Sequence, residues 1–358
     1  MVKDQEQDSP RTPVNQGVRE VTPEANKIGA STPYDFDGRN VTAYGGLLPV
    51  ATMLEKLGFR QLVEETLTVH RQTRAMTMYR FVLAMVLACY VGCSRLFHLR
   101  VLEREPMLTG ILGVLRLPPQ CTFWRFLASL HLGVARQLLQ VQQRMRQRVW
   151  EAAHVQVTEV TLDTDTTVHT LFGQQMGGRK SYNPKNRGKK SYQPILTFLA
   201  ETKEYVAGAL RTGDRPSGKE IAAHLDSAFA ALPPTVKTVY ARADSGFYCW
   251  EAVQAYEKRN CRFVLVARKT ARLAVQLKAA DWRPSPRTDA DGQCEFYYQP
   301  EGWGQAYRFL ALRYEKPPKA DEADAPEQYQ LFETSEYTFR VFVTNMDAPL
   351  DALVWFYN

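Results

Sequence analysis

Two periodicities divide this chain. Apolar side chains first recur every three or four positions, as in Leu47, Leu48, Val50, Met53, Leu54 and Leu57, and that spacing predicts an amphipathic helix. Gly58 is placed to end it. The pattern continues through 77–105, 107–116 and 122–150, with Pro118-Pro119 between the last two and Thr122 placed to cap the last. From Val155 the period changes, and strands are expected at 157–163, 167–172, 194–199 and 205–211. Ser217 and Glu220 form a capping box that opens a helix over 218–231. A strand at 236–241, a helix at 249–259, a strand at 262–267 and a helix at 270–279 follow. Shorter strand patterns at 294–299 and 306–314 precede an acidic, Pro-rich loop at 315–328. A strand returns at 338–344, and Pro349 opens a final helix.

This order predicts a disordered tail over 1–40, rich in Pro, Glu, Asp, Gln and Thr. A helical domain over 41–152 comes next, followed by an α/β core over 153–280. A β-rich insertion over 281–337 and a return strand with the start of a helix over 338–358 complete the chain.

The chemistry concentrates at two strand ends. Residues two apart on a strand share a face, so Asp163 and Asp165 point the same way. The run Val236–Tyr240 is cut off at Ala243-Asp244-Ser245-Gly246, which holds Asp244 at the carboxyl end of a strand, where α/β sheets put their sites. Apolar flanks argue for burial of these acids, and a buried carboxylate needs a metal or a base beside it. Two such carboxylates could bridge a pair of Mg²⁺ ions about 4 Å apart, an arrangement that activates an attacking oxygen and stabilises a leaving oxygen at phosphorus.

Charge points to the same partner. The 358 residues carry a net charge of +7, concentrated in two blocks. From Arg71 to Arg148 there are twelve Arg, no Lys, and only Glu103 and Glu105 as acids. From Thr166 to Ala200 there are six basic residues and no acid. Such blocks fit a polyanion. In the second, Arg179, Lys180, Lys185, Arg187, Lys189 and Lys190 alternate with glycines and with Tyr182, a mixture that can track a phosphate backbone while aromatics stack on bases. In the first, Arg116, Arg125 and Arg136 on short helices fit a DNA-reading module, and arginine suits phosphate forks.

Other classes fall away. The six cysteines lack zinc spacing. The apolar run Phe81–Cys93 is too short to span a bilayer, and the N-terminus lacks the apolar stretch of a signal peptide. A reduced, cytoplasmic protein is expected. His98, His131, His154 and His169 read as surface or packing residues, since two-metal phosphoryl transfer needs no protein base. Trp250 reads as a core residue of its helix.

At Leu162-Asp163-Thr164-Asp165-Thr166-Thr167 and Arg242-Ala243-Asp244-Ser245-Gly246-Phe247-Tyr248 the chain resembles bacterial insertion-sequence transposases of the DDE superfamily. Gly173-Gln174 and the Tyr182…Tyr192-Gln193-Pro194 stretch add to the likeness, which runs from about Gly45 to the end. The resemblance implies an RNase H-like mixed sheet with flanking helices. It further implies Mg²⁺ (or Mn²⁺) as cofactor and double-stranded DNA, both element terminal repeats and target, as partner. A homodimer on DNA and a nucleoid-associated place in the bacterial cytoplasm follow from it, as does the absence of a membrane. It makes Asp165 the first catalytic acid, because Thr-Thr follows it, with Asp163 the other candidate, and Asp244 the second. The third, a Glu within a Tyr-x-x-Arg-x-x-x-Glu pattern, is expected beyond Tyr357. The chain therefore looks truncated before it, inactive alone, and able to occupy element ends as an inhibitor. Asp347 or Asp351 is the in-chain alternative for the missing acid.

Overall fold

The computed structural model describes residues 42–69, 76–287, 289–315, 332–333 and 337–358. The 1–40 tail and almost all of the 315–328 loop lie outside the described residues.

Six helices come first: α1 (Leu47–Lys56), α2 (Phe59–Thr66), α3 (Met78–Tyr90), α4 (Pro106–Leu112), α5 (Gln120–Ala128) and α6 (Leu132–Ala152). Gly58 stands between α1 and α2 at φ +66°, a left-handed turn that glycine takes without strain. The helices share one apolar core built on Phe81, Leu87, Leu108, Phe123 and Phe126, with the Phe81 and Phe126 rings stacked at 4.8 Å.

Two helices expected as single pieces are each broken. The pattern over 77–105 ends as an α-helix at Tyr90 and resumes as a 3-10 turn over Leu96–Arg100. The pattern over 122–150 breaks at Ser129–His131. There the Ser129 hydroxyl donates to the Phe126 carbonyl, and His131 Nδ1 caps α6 by accepting from the Gly133 N–H at 3.1 Å. Thr122 lies inside α5, which starts two residues earlier.

The sheet is built from β1 (Glu159–Thr166), β5 (Ile195–Leu199), β6 (Tyr205–Ala209), β7 (Thr238–Ala243), β8 (Arg262–Val266), β9 (Gly292–Tyr298), β10 (Tyr307–Glu315) and β12 (Tyr337–Thr344). Short β11 (Phe332–Glu333) pairs with β12. A separate small sheet holds β2 (His169–Thr170), β4 (Lys190–Tyr192) and β3 (Arg179–Lys180), in that order. The main order is β6-β5-β1-β7-β8-β12-β10-β9. β5 runs antiparallel to β1 and β6, whereas β7 and β8 run parallel to β1 and to each other. An antiparallel meander followed by two parallel strands added at β1's other edge is the RNase H-like arrangement.

Beyond β8 the sheet continues without a break. β12 pairs antiparallel to β8, and β10 and β9 follow. The strands between residues 281 and 337 therefore extend the main sheet and do not form a layer of their own. Their alternation explains why: Phe309 and Ala311 belong to one core and Leu310 and Leu312 to the other, so both faces of β10 are covered.

Those two cores fix the layers. On one face α7 (Gly218–Ala230), α8 (Trp250–Lys258) and α9 (Ala271–Ala279) pack through Leu225, Phe229, Tyr256 and Leu273 against Leu162, Ala241, Phe263 and Leu265. α7 opens with the full capping box of Ser217 and Glu220. On the opposite face α10 (Leu350–Tyr357) packs Leu350, Leu353 and Val354 against Val264, Leu310 and Phe342. That i, i+3, i+4 spacing is a single helix stripe.

Candidate functional site

Alternation along β1 places its acids. Val160 and Leu162 point into the α7/α8 core. Thr164 points the same way and is buried, so Asp163 and Asp165 face the α10 side. In register, Asp163 lies opposite Arg242 and Thr164 opposite Ala243 on parallel β7. Asp165 and Asp244 are the next step along the two strands, at their shared carboxyl end. Both line one open cleft of about 690 Å³, together with Asp163, Tyr182, Gln193, Arg215, Arg242, Arg268, Arg340, Tyr357 and Asn358.

The turn after β7 is built around Asp244. Its carboxylate Oδ1 accepts from the Gly246 N–H at 2.9 Å and opens a single 3-10 turn over Ser245–Phe247. A Cβ at position 246 would stand 2.9 Å from that oxygen, closer than side chains tolerate, so the glycine is what lets the N–H approach. Arg268 braces the turn by donating to the carbonyls of Ser245 and Gly246. Asp165 accepts from the Thr166 N–H at 2.7 Å.

Both carboxyls are held above the usual carboxylate range. Both side chains reach solvent, but the cleft walls shield them from much of the bulk water. For Asp165 partial burial is the cause, offset by the Thr166 N–H. For Asp244 burial comes first and the negative charge of Asp165 second, against Gly246, Arg268 and Arg215. The Asp165 charge felt at Asp244 therefore marks these two as near neighbours. Tyr357 feels both: burial and then the Asp244 charge push its hydroxyl up to about 12, with Asp165 adding to the effect.

Asp163 is different. Arg242 grips both of its oxygens with Nε and Nη2, the latter at 3.0 Å. Among the described residues no three or more His, Cys, Asp or Glu side chains are grouped to hold a metal ion. Asp163, Asp165 and Asp244 thus do not close into a three-carboxylate site, because the guanidinium takes one of them. Asp347 and Asp351 do not line the cleft.

The expected DNA contacts fall in three places. Tyr182 stands on the cleft rim, with the Arg215 guanidinium 4.9 Å from its ring centre. Arg179, Lys180 and Lys190 lie on the small sheet beside it, with Lys185, Arg187 and Lys189 on the connection between β3 and β4. Arg179 pairs with Asp214 at 3.7 Å. Arg116 and Arg125 lie exposed on the helical region and do not line the cleft, with Arg116 3.6 Å from Glu103. Sequence reasoning missed Arg215, Arg242, Arg268 and Arg340 in the cleft. Arg242 and Arg268 could have been found, since each sits within two residues of a strand's carboxyl end.

Among the described residues no helix is long and apolar enough to cross a membrane. No curated protein matches the chain in sequence. Among solved structures it is similar to a piggyBac transposase in a synaptic complex with hairpin DNA, at 11% identity and a TM-score of 0.39, covering 87% of this chain. The chain spans 65% of that protein's length. It is also similar to the Mos1 transposase in a paired-end complex with the left transposon end, at 13% identity and a TM-score of 0.22 over 62% of this chain and 69% of that one. Residues 26–348 match the family described as transposase DDE domain group 1, and the chain belongs to that family.

Proposed function

We propose that the chain is a DNA transposase that cleaves a strand at the ends of an insertion sequence and joins the freed 3′-OH to target DNA. The observation that carries this reading is the meeting of Asp165 and Asp244 in one cleft, from the carboxyl ends of adjacent parallel strands. Their oxygens are hard donors of the kind Mg²⁺ or Mn²⁺ takes, and a bound cation would offset the Asp165 charge that helps raise Asp244. When bound, the metal activates the attacking oxygen and stabilises the leaving one at phosphorus. Arg215 and Arg340 give the cleft a cationic rim for the scissile phosphate. The basic small sheet, from Arg179 to Lys190, tracks the flanking backbone. The helical region over 41–152, with Arg116 and Arg125, recognises the terminal repeat. Two copies act together to pair two ends, at the nucleoid of a bacterial cell.

A second reading is occupation of element ends without cleavage. Arg242 holds both oxygens of Asp163, which withholds the nearest further carboxylate from Asp165 and Asp244, and this favours it. One experiment separates the two: incubation of the purified chain with a duplex carrying the terminal repeats, in Mg²⁺ or Mn²⁺. Nicking that disappears in Asp165→Asn and Asp244→Asn supports the transposase. Repeat-specific binding with no nicking supports the second reading. Nicking that survives both substitutions, or no preference for repeats over random duplex, rejects both.

A further inference from the structure

We infer that Asp163 and Arg242 form a positioning strut that fixes α10 over the cleft, and that Asp163 holds no metal. The inference rests on the proposed Asp165–Asp244 site only for what the strut serves. Three contacts carry it. Arg242 engages both oxygens of Asp163, its register partner on β1. Its remaining terminal nitrogen, Nη1, donates at 2.6 Å to the backbone carbonyl of Phe356 in the last turn of α10. Its guanidinium carbon also stands 5.7 Å from the Phe356 ring centre, a ring that packs on Tyr240 at 5.9 Å.

Each nitrogen of the guanidinium therefore has an assigned partner, two on β1 and one on α10, and Arg242 itself sits on β7. The helix contact ties a backbone carbonyl of α10 directly to β7. Arginine suits this task, because its planar fork can hold a carboxylate bidentately and still present a further donor. With one lone pair of each oxygen already taken by the fork, Asp163 is a poor metal ligand, and pulling it toward a cation would weaken its hold on a part-buried guanidinium. The residue after Phe356 is Tyr357, which lines the cleft. Losing the strut therefore lets the end of α10 drift relative to Asp165 and Asp244.

The test combines two readouts on the full chain: hydrogen exchange of the α10 amides (350–357), and Mn²⁺ affinity by titration followed by electron paramagnetic resonance. Asp163→Asn and Arg242→Gln are each expected to speed α10 exchange at least tenfold while changing Mn²⁺ affinity less than threefold. The double variant should be no worse than either single one. Asp165→Asn should do the reverse, lowering Mn²⁺ affinity at least tenfold with α10 protection unchanged. Arg242→Lys keeps the charge but loses the fork, and should fall between wild type and Arg242→Gln in exchange. Loss of Mn²⁺ binding in Asp163→Asn with α10 protected as in wild type would overturn the inference, as would unchanged α10 exchange in both strut variants. A wild-type chain that binds no Mn²⁺ would reject the metal reading alone, and the exchange arm would still decide the strut.

Discussion

The hydroxyls of Thr164 and Thr197 meet at 2.9 Å between β1 and β5, on the side of the sheet away from Asp163 and Asp165. Thr197 also contacts His224 Nε2 of α7 at 2.8 Å. The strand that presents the carboxylates is thus tied from behind by a buried polar chain reaching into the helix layer. Replacing Thr197 with Val leaves the Thr164 hydroxyl and the imidazole without partners, at a cost of about 1–3 kcal/mol. Urea unfolding checks this, and a loss below a few tenths of a kcal/mol would contradict it.

His224 adds a pH dependence. Burial pushes its pKa down to about 4, below the ordinary 6.5. The unfolded chain therefore takes up the proton first. The stability that the neutral ring contributes is full above about pH 6.5 and is lost as pH falls towards 4. The difference corresponds to about 3 kcal/mol. Chemical denaturation between pH 7 and pH 4 should show a shallower acid decline in His224→Gln than in wild type.

Arg146 ties the helical region to the sheet. It is buried on α6, donates to the Ala231 carbonyl at 3.1 Å and to the Tyr205 carbonyl, and lies 3.7 Å from Glu204. Arg146→Ala should destabilise the chain by about 1–3 kcal/mol, since the Ala231 carbonyl loses this donor, Tyr205 keeps only Gln142 among side chains, and Glu204 loses its nearby cation. Arg146→Met should cost less, because it refills the space. Calorimetric unfolding of both variants provides the comparison.

Without a divalent cation, Asp244→Asn should raise the melting temperature at pH 7. The sign follows from the raised carboxyl: its favourable contribution is full below the unfolded pKa and is lost as pH rises through the folded one. Solvent at the cleft mouth limits the gain to less than about 1 kcal/mol. The gain should shrink when the same melt is run in low millimolar Mn²⁺, because the cation stabilises only the chain that keeps both carboxylates.

The basic small sheet has its own signature. Lys185 and Lys189 are exposed on the β3–β4 connection. If each contacts one phosphate, replacing either with Ala lowers the slope of log affinity against log salt by about 0.9. Fluorescence anisotropy on duplex DNA across a salt series measures it, and an unchanged slope would remove these lysines from the interface.

Much of the frame was legible because its signals are local. The apolar run before Ala243-Asp244-Ser245-Gly246, the Ser217–Glu220 capping box and Pro349 at the start of α10 each act within a few residues. The break at Ser129–His131 was not, because apolar spacing runs straight across it and the stop depends on two side-chain caps. Nor was the place of β9 and β10, since a strand's neighbours depend on pairing, and both faces of β10 are buried. Asp163 shows the limit most clearly. Its spacing from Asp165 shows that both share a face, yet only the register with β7 reveals that Arg242 holds the first and not the second.

Metal-directed backbone cleavage tests the central claim most directly. Fe²⁺ exchanged for Mg²⁺ and treated with ascorbate and peroxide generates hydroxyl radicals that cut the chain beside its ligands. A single site held by Asp165 and Asp244 predicts breaks near both residues, lost together in either Asn variant and suppressed by excess Mg²⁺. Breaks elsewhere, or at only one of the two strand ends, would contradict it.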